Sequence, residues 1–459
     1  MSTFGFGNTN DAYGVFQTGD TGYAITGTTT GTWNENPDMF LMHADSLGNF
    51  QWVKLFGGNN IEQGKSFIQT QDGGYLLVGY TNSFNLTNDY NGYLVRTDVN
   101  GNTIWTKIVG GNNWDMLESV APCPDHGFLL AGTTYGTSSG HPGGWLMRID
   151  SSGNTLWQKN LESVNDLFLK NIHVLSDGNY VVCGFYKDDS NSKEQGFVAK
   201  IEPLNGDTIW TYARHGSDAT HLNAVKELSN GDLAFAGYIE ADTNANKDEY
   251  FYGLKASGIF NWENRFVQPG RTEGYNDLVI VNDTIHGAGS TSTFGSGNQD
   301  FRLMRANSSG QYIEANNWGG GNDEICYHIE STLDTGFILV GSTTSYAPSR
   351  QSVYLVKTDR HLTTTSLITI DVPEFTNNNP GLAFPNPFHA SLKIRINNLK
   401  FSGQSSEIRI FSSTGELVES RSTNETELEI NGENFASGIY LLQIIRADGS
   451  CSVSRLIRE

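Results

Sequence analysis

From Asp72 to Trp105 the chain alternates a mixed apolar run, Tyr-Leu-Leu-Val-Gly, with a polar loop, a second apolar run, Tyr-Leu-Val-Arg, and a Gly-Asn turn that leads to the tryptophan. The apolar run ending in glycine recurs at Gly27, Gly79, Gly132, Gly184, Gly237, Gly289 and Gly341, with gaps of 52, 53, 52, 53, 52 and 52 residues. A fixed period of this length marks a repeat architecture. In the second copy the pattern predicts strands at 65–70, 74–81, 92–97 and 103–109. The second of these is apolar on both alternating sets, Leu76 and Val78 against Tyr75 and Leu77, so both of its faces must be covered. Face-to-face blades around an axis meet that demand, and a solenoid would need polar capping repeats that the pattern lacks. The expected fold is all-β: a seven-bladed β-propeller of four-stranded antiparallel blades over 1–370. A Pro- and Asn-rich linker, 371–382, follows. Short strands at 392–396, 407–411, 417–421, 427–430, 438–445 and 451–457 then predict a small immunoglobulin-like β-sandwich over 383–459. For the seventh blade, either 364–370 or an N-terminal strand over 2–6 can supply the outer strand.

Composition strengthens this reading. Glycine numbers 52, aromatics reach 12% and charged residues only 17%, which suits short strands joined by tight turns. A net charge of -21 argues against nucleic acid and anionic membrane surfaces as partners. Cys123, Cys183, Cys326 and Cys451 are too scattered for a disulfide framework or a metal motif and read as buried free thiols. No run of some 18 apolar residues predicts a transmembrane helix, and no signal peptide is visible. Met1 falls at about the repeat position of Trp52, so the expected native N-terminus lies upstream. A monomer is expected.

Candidate chemistry divides into residues that keep the repeat phase and residues that break it. The turns Asp45-Ser-Leu-Gly48-Asn49, Asp98-Val-Asn-Gly101-Asn102 and Asp150-Ser-Ser-Gly153-Asn154 lack the middle oxygens of a calcium loop and read as hairpin turns with a Gly bulge. Trp52, Trp105, Trp157, Trp210 and Trp262 keep phase, which points to packing between blades. A basic row (His43, Arg96, Arg148, Lys200, Lys255, Arg305, Lys357) and an acidic row (Asp11, Glu62, Asp115, Asp166, Asp218, Glu273, Asp323) also recur. Both are expected to tie neighbouring blades together; the sharper alternative is an axial carboxylate ring holding a divalent cation. Trp33, Trp114 and Trp318 break phase, as do long loops over 30–37, 83–91, 135–143, 187–194 and 240–248, so recognition is expected on that rim. No catalytic residue and no resident cofactor is assigned: H-E-x-x-H, G-x-S-x-G and a phosphate-cradling glycine loop are all missing from the sequence.

Two resemblances add to this. The segment from Leu94 to Trp105 resembles the repeat of quinoprotein-type propellers, but the adjacent Cys pair of the quinone-dependent dehydrogenases is missing, so the likeness extends to the blade alone. The tail carries Phe384-Pro385-Asn386-Pro387, then Ile408 to Val418 with Gly415, then Phe435-Ala-Ser-Gly438-Ile-Tyr440, and ends Arg455-Leu-Ile-Arg-Glu459. In these ordered motifs it resembles the type A sorting domain of the type IX secretion system of Bacteroidota, with Phe384 where tyrosine is more usual. The resemblance implies export across the outer membrane, recognition by the secretion machinery and a surface sortase, and a product released or anchored to anionic lipopolysaccharide. It implies a role in sorting for Pro385, Asn386, Pro387, Gly415, Gly438 and Tyr440. The chain is therefore expected to be an extracellular or surface-displayed, non-enzymatic module that binds a glycan or a protein. A polysaccharide-acting hydrolase or lyase with its site on the axis is the alternative.

Overall fold

The computed structural model describes residues 1–30, 36–84, 88–161, 165–188, 193–240, 246–268, 270–295, 297–346, 350–364, 383–384, 388–389, 391–395, 406–412, 417–425, 427–445 and 451–458. The chain divides into two compact units, one of Met1–Phe4 and Asn8–Ile370, the other of Gly5–Gly7 and Asp371–Glu459. The first holds seven four-stranded antiparallel sheets, the blades of a β-propeller. Each blade begins at the axis, with innermost strands at Thr9–Gln17, Glu62–Gln69, Asp115–Pro122, Leu167–Val174, Ala219–Glu227, Glu273–Val281 and Glu324–Ser331. The second strand of each blade is the apolar run of the repeat, and Phe128–Thr134 and Phe337–Thr343 are buried at every position. Its two faces pack on the blades before and after it, so alternation of polar and apolar residues would leave a polar side chain in a dry interface.

Closure is made by the N-terminus. Ser2–Phe4 pairs with Ser352–Thr358 as the fourth strand of the seventh sheet. Asn10 completes the seam, its backbone N–H and its Nδ2 both donating to the Gln351 carbonyl at 3.1 and 3.0 Å.

The repeat-phase side chains explain how blades are built and joined. The phased tryptophans lie on the outermost strands, each against the hairpin glycine of the following blade. A Cβ on Gly101, Gly153 or Gly258 would come within 2.7 Å of Trp52, Trp105 or Trp210. These glycines have φ near +80°, so the turn and the indole both require glycine. The turn acids are consumed locally: Asp45, Asp98 and Asp150 each accept two backbone N–H groups from their own turn. The basic row joins neighbouring blades at Arg305, whose guanidinium donates to the Arg360 carbonyl of blade 7, but elsewhere it pairs mostly within its own blade. Arg96 pairs with Asp72 at 2.5 Å, Lys200 with Asp177 at 2.6 Å, Lys357 with Asp334 at 2.8 Å, and Arg148 with Asp125, each pair lying within one blade. Third and first-to-second-turn positions meet because both lie at the same end of the sheet.

The acidic row does meet the joints between blades: Asp166 pairs with His141 of the preceding blade, and Asp11 accepts from Gln351 Nε2 across the closure seam. Of the row, Glu62, Asp115 and Glu273 open their innermost strands and turn into the seam between blades, and in blade 7 this is done by Glu324, the residue after the row's Asp323. Glu62, Asp115 and Glu324 each accept a backbone N–H from the incoming Gly-Gly connection, from Gly58 at 2.7 Å, Gly111 at 2.6 Å and Gly320 at 2.6 Å. Glu62 and Glu324 accept from the hydroxyls of Thr81 and Thr343 as well. Asp166 and Asp218 stand one residue earlier and pair with His141 and Arg265. The row thus shapes the crossover connections, and its members are not among the residues lining the axial cavity.

The second unit forms a three-stranded and a four-stranded sheet. Its strands include Ser391–Arg395, Ser406–Ser412, Leu417–Thr423, Glu427–Asn431, Gly438–Ile445 and Cys451–Arg458. Phe388, Leu392, Ile394, Ile408, Ile410, Ile430, Phe435, Leu442, Ile444 and Leu456 form its core, as expected of a small sandwich with alternating inward positions. The expected linker, 371–382, lies outside the described residues. Cys123, Cys183 and Cys326 are buried free thiols.

Candidate binding site

Every innermost strand carries the same irregularity. Its pairing with the second strand slips by one residue, leaving Tyr13, Lys65, Glu118, Lys170, Asn223, Asn276 and Tyr327 unopposed in blades 1 to 7. A β-bulge frees the extra residue from the ladder and re-aims its side chain. All seven line one axial cavity of 710 Å³, to which every blade contributes, a volume in the range of small-molecule sites.

The ring is not uniform. On one side the side chains close seams: Asn223 Nδ2 donates to the Tyr275 carbonyl at 2.8 Å, and Asn276 Nδ2 to the Cys326 carbonyl at 2.7 Å. The residue after the bulge does similar work elsewhere. Ser119 and Asp277 oxygens accept the backbone N–H of Ile172 and Ile329 at 3.3 and 3.2 Å, and His328 Nδ1 accepts that of Val15 at 3.4 Å across the closure seam. On the other side, blades 7, 1, 2, 3 and 4 contribute rings and charged ends. Tyr13 and Tyr327 lie 4.7 Å apart between centroids. Lys65 Nζ sits 4.6 Å from the centre of Tyr13 and 5.5 Å from that of Tyr80. Lys170 Nζ donates to Glu118 Oε1 at 3.1 Å. Burial works against the charge on Glu118, but Lys170 and Lys65 outweigh it and hold the carboxyl below its usual range. Burial lowers Lys65 as well. Elsewhere on the cavity wall, burial raises Glu330, and burial with the nearby Lys226 brings His173 down to about 4.

From Lys65 an aromatic path runs outward. Tyr80 meets Tyr90 at 5.3 Å, Tyr90 meets Trp114 at 5.3 Å, and Trp114 meets Tyr135 at 5.8 Å, all edge to face. Trp114 is 46% exposed and Tyr135 37%. Both stand on the connections that form the rim between blades 2 and 3. Of the three tryptophans expected to mark a recognition rim, Trp114 is exposed on the connection from blade 2 to blade 3. Trp318 is not: it ends the outermost strand of blade 6, pairs in register with Phe301 and is buried in the core at 7% exposure. Trp33 lies outside the described residues, as do 85–87, 189–192 and 241–245 of the long loops. Among the described residues no group of three or more His, Cys, Asp or Glu side chains converges as a metal site.

The bulge ring lies outside the set of residues that break phase, where the sequence places recognition. Its residues keep phase, fourteen positions before the repeat glycine in six copies and thirteen in the sixth, yet their identities differ from blade to blade. A column that is polar or aromatic in every copy of the repeat is the signal that marks it.

In the tail, Pro385, Asn386, Pro387 and Gly415 lie outside the described residues. Gly438 opens its strand at φ +155°, with no neighbour that a Cβ would meet within 4 Å. Tyr440 is buried, stacks edge to face on Phe435 at 5.1 Å and donates its hydroxyl to the Ala436 carbonyl at 2.8 Å. That bond resembles the tyrosine corner of immunoglobulin-like sandwiches.

Residues 382–459 match the family of secretion system C-terminal sorting domains. The chain therefore carries a type IX sorting tail, which implies a Bacteroidota source, engagement with the secretion machinery, and export to the cell surface or extracellular space. No helix among the described residues is long and apolar enough to cross a membrane. No curated protein matches the chain in sequence. Among solved structures it is similar to PorZ, a surface component of the type IX secretion system of Porphyromonas gingivalis, at 12% identity and TM-score 0.45, over 99% of this chain and 60% of that one. It is also similar to the Pan2 WD40 domain of Neurospora crassa, at 12% identity and TM-score 0.48, over 78% and 90% of the two chains. A third is the β-propeller domain of the Trilobed protease of Pyrococcus furiosus, at 9% identity and TM-score 0.45, over 78% and 97%.

Proposed function

We propose that this chain, whose residues 382–459 match a secretion-system sorting domain, is a non-enzymatic binding module that acts outside the cell. Its ligand is held at the axial mouth by blades 7, 1, 2, 3 and 4. The supporting observation is the division of the bulge ring. Asn223 and Asn276 spend their amides on seams, whereas Tyr327, Tyr13, Lys65, Glu118 and Lys170 place rings and charges along the cavity wall. A scaffold needing only closure would use short amides throughout.

The test is a binding survey of the full chain against soluble glycans and cell-surface proteins, repeated with Lys65→Met. A ligand whose affinity drops at least about ten-fold in the variant, a loss of about 1.4 kcal/mol, supports the reading. A ligand bound equally well by Lys65→Met would move the site elsewhere, and no ligand at all would end the proposal.

A second reading, a hydrolase or lyase acting on polysaccharide, is favoured by one observation: Glu330, raised by burial, and Glu118, held ionised by two lysines, line the same cavity. It requires reducing or unsaturated ends to appear when the full chain is incubated with polysaccharide, and to vanish in both Glu118→Gln and Glu330→Gln.

A further inference from the structure

We infer that the aromatic path leading from the axial mouth to the rim between blades 2 and 3 is a stacking platform for a neutral glycan chain. This rests on the binding reading above and names its ligand class. Four rings, Tyr80, Tyr90, Trp114 and Tyr135, follow one another in steps of 5.3, 5.3 and 5.8 Å. Each step is about the length of one pyranose. Lys65, over the faces of both Tyr80 and Tyr13, joins this path to the cavity wall. Side-chain contacts therefore link the rim to the cavity wall.

Three features favour a sugar chain. The C–H face of a pyranose is weakly positive and meets the negative face of an aromatic ring, as a second ring's edge does. Successive rings are set edge to face, so the half-buried Tyr80 and Tyr90 brace the exposed Trp114 and Tyr135, the two rings that can meet a sugar from solvent. Polar groups flank the outer end: Asn113 is exposed beside Trp114, and His141, at 44% side-chain exposure, is fixed by Asp166 at 2.9 Å. These can meet hydroxyl groups at the edge of a stacked sugar.

Charge argues for a neutral chain. Lys170 is matched by Glu118, and Lys65 lies within the fields of both Glu118 and Asp11. The whole protein carries a formal charge of -21, so a uronate or sulfate polymer approaching the rim is repelled.

Calorimetric titration of the full chain with cellohexaose, xylohexaose, mannohexaose and maltohexaose tests this, with polygalacturonate as the anionic arm. Trp114→Ala and Tyr135→Ala should each weaken a bound neutral hexaose roughly ten-fold with an unchanged melting temperature, since truncating an exposed stacked ring removes contact without opening the core. Quenching of tryptophan fluorescence by that hexaose should fall in Trp114→Ala. Binding of polygalacturonate in preference to all four hexaoses overturns the inference. So does a neutral hexaose that Lys65→Met abolishes but both rim variants bind normally; that result leaves the binding module standing and removes only the platform. Failure of every glycan, with a protein ligand lost in Lys65→Met, does the same. Failure of every probe removes both.

Discussion

The joint between neighbouring blades can be tested by placing one methyl group at two glycines that differ in a single respect. Gly153 has φ +76° and Gly178 φ +84°, so alanine at either must adopt a left-handed conformation at about 1 kcal/mol. At Gly178 nothing lies within 4 Å of the added Cβ, whereas at Gly153 it would come within 2.7 Å of the Trp105 indole of the preceding blade. Forcing the indole aside adds an overpacking cost of about 1–3 kcal/mol. Gly178→Ala should therefore cost about 1 kcal/mol and Gly153→Ala about 2–4 kcal/mol. Trp105→Ala removes the obstacle, so the double variant should be more stable than the sum of the single losses by at least about 1 kcal/mol. Urea unfolding of the full chain followed by tryptophan fluorescence is the assay, because all nine tryptophans lie at or before Trp318 and report on the propeller alone. Equal losses for the two alanine variants, or strict additivity with Trp105→Ala, would refute the assignment of the phased tryptophans to inter-blade packing.

Asp38 faces Glu62 across the seam between blades 1 and 2, and burial followed by repulsion from Glu62 pushes it up to about 6. The wild type should then lose stability as pH rises from about 4 to about 6, and Asp38→Asn should be more stable by about 1 kcal/mol at pH 7 with no advantage at pH 4, allowing for partial solvent screening. Equal melting temperatures at pH 7 would contradict this. Glu118 has the opposite sign: its folded value is depressed, so its contribution is present above the ordinary glutamate range and disappears as pH falls through the depressed value. Glu118→Gln should cost about 2 kcal/mol at pH 7 and progressively less in acid, as read from thermal unfolding against pH; a deficit that does not change with pH would show that shape rather than charge is involved. In the tail, Tyr440→Phe should cost about 1 kcal/mol through loss of the bond to the Ala436 carbonyl, seen as faster proteolytic clipping of the tail from the full chain. Unchanged clipping would assign the hydroxyl no structural role.

What was legible in the sequence follows from how strongly each feature is tied to burial. The second strand of each blade announces itself because both of its faces must be apolar, and the run Tyr75–Thr81 is a strand within one residue of the expected 74–81. The tail strands are equally plain, Gly438–Ile445 coinciding with the expected 438–445, because alternation against a single core fixes them. The pairing of the rows was harder. Arg96 and Asp72 are 24 residues apart and meet only because a hairpin returns the chain to the same end of the sheet, which spacing alone does not reveal. Exposure was harder still: Trp114 and Trp318 each break the phase, but one stands on a connection and the other in a strand whose partner, Phe301, faces inward.

The bulge ring shows why repeat phase and recognition are not alternatives. The slip in the ladder is part of the blade and recurs in all seven copies, so its position is architectural. The side chain it releases has no ladder partner, so the ladder does not dictate its identity. Two copies use that freedom to brace the next blade with an amide, and others place Lys65, Glu118 and Lys170 along the cavity. The same blade can therefore carry different side chains at seven axial positions without changing a strand. Asn276→Lys and Lys65→Asn test this in opposite directions: the first should cost about 1 kcal/mol by opening the seam to the Cys326 carbonyl, while the second removes no side-chain bond to a seam carbonyl described above and should cost less. If both variants lose equal stability, the ring is a structural girdle throughout, and the division between bracing and recognition does not hold.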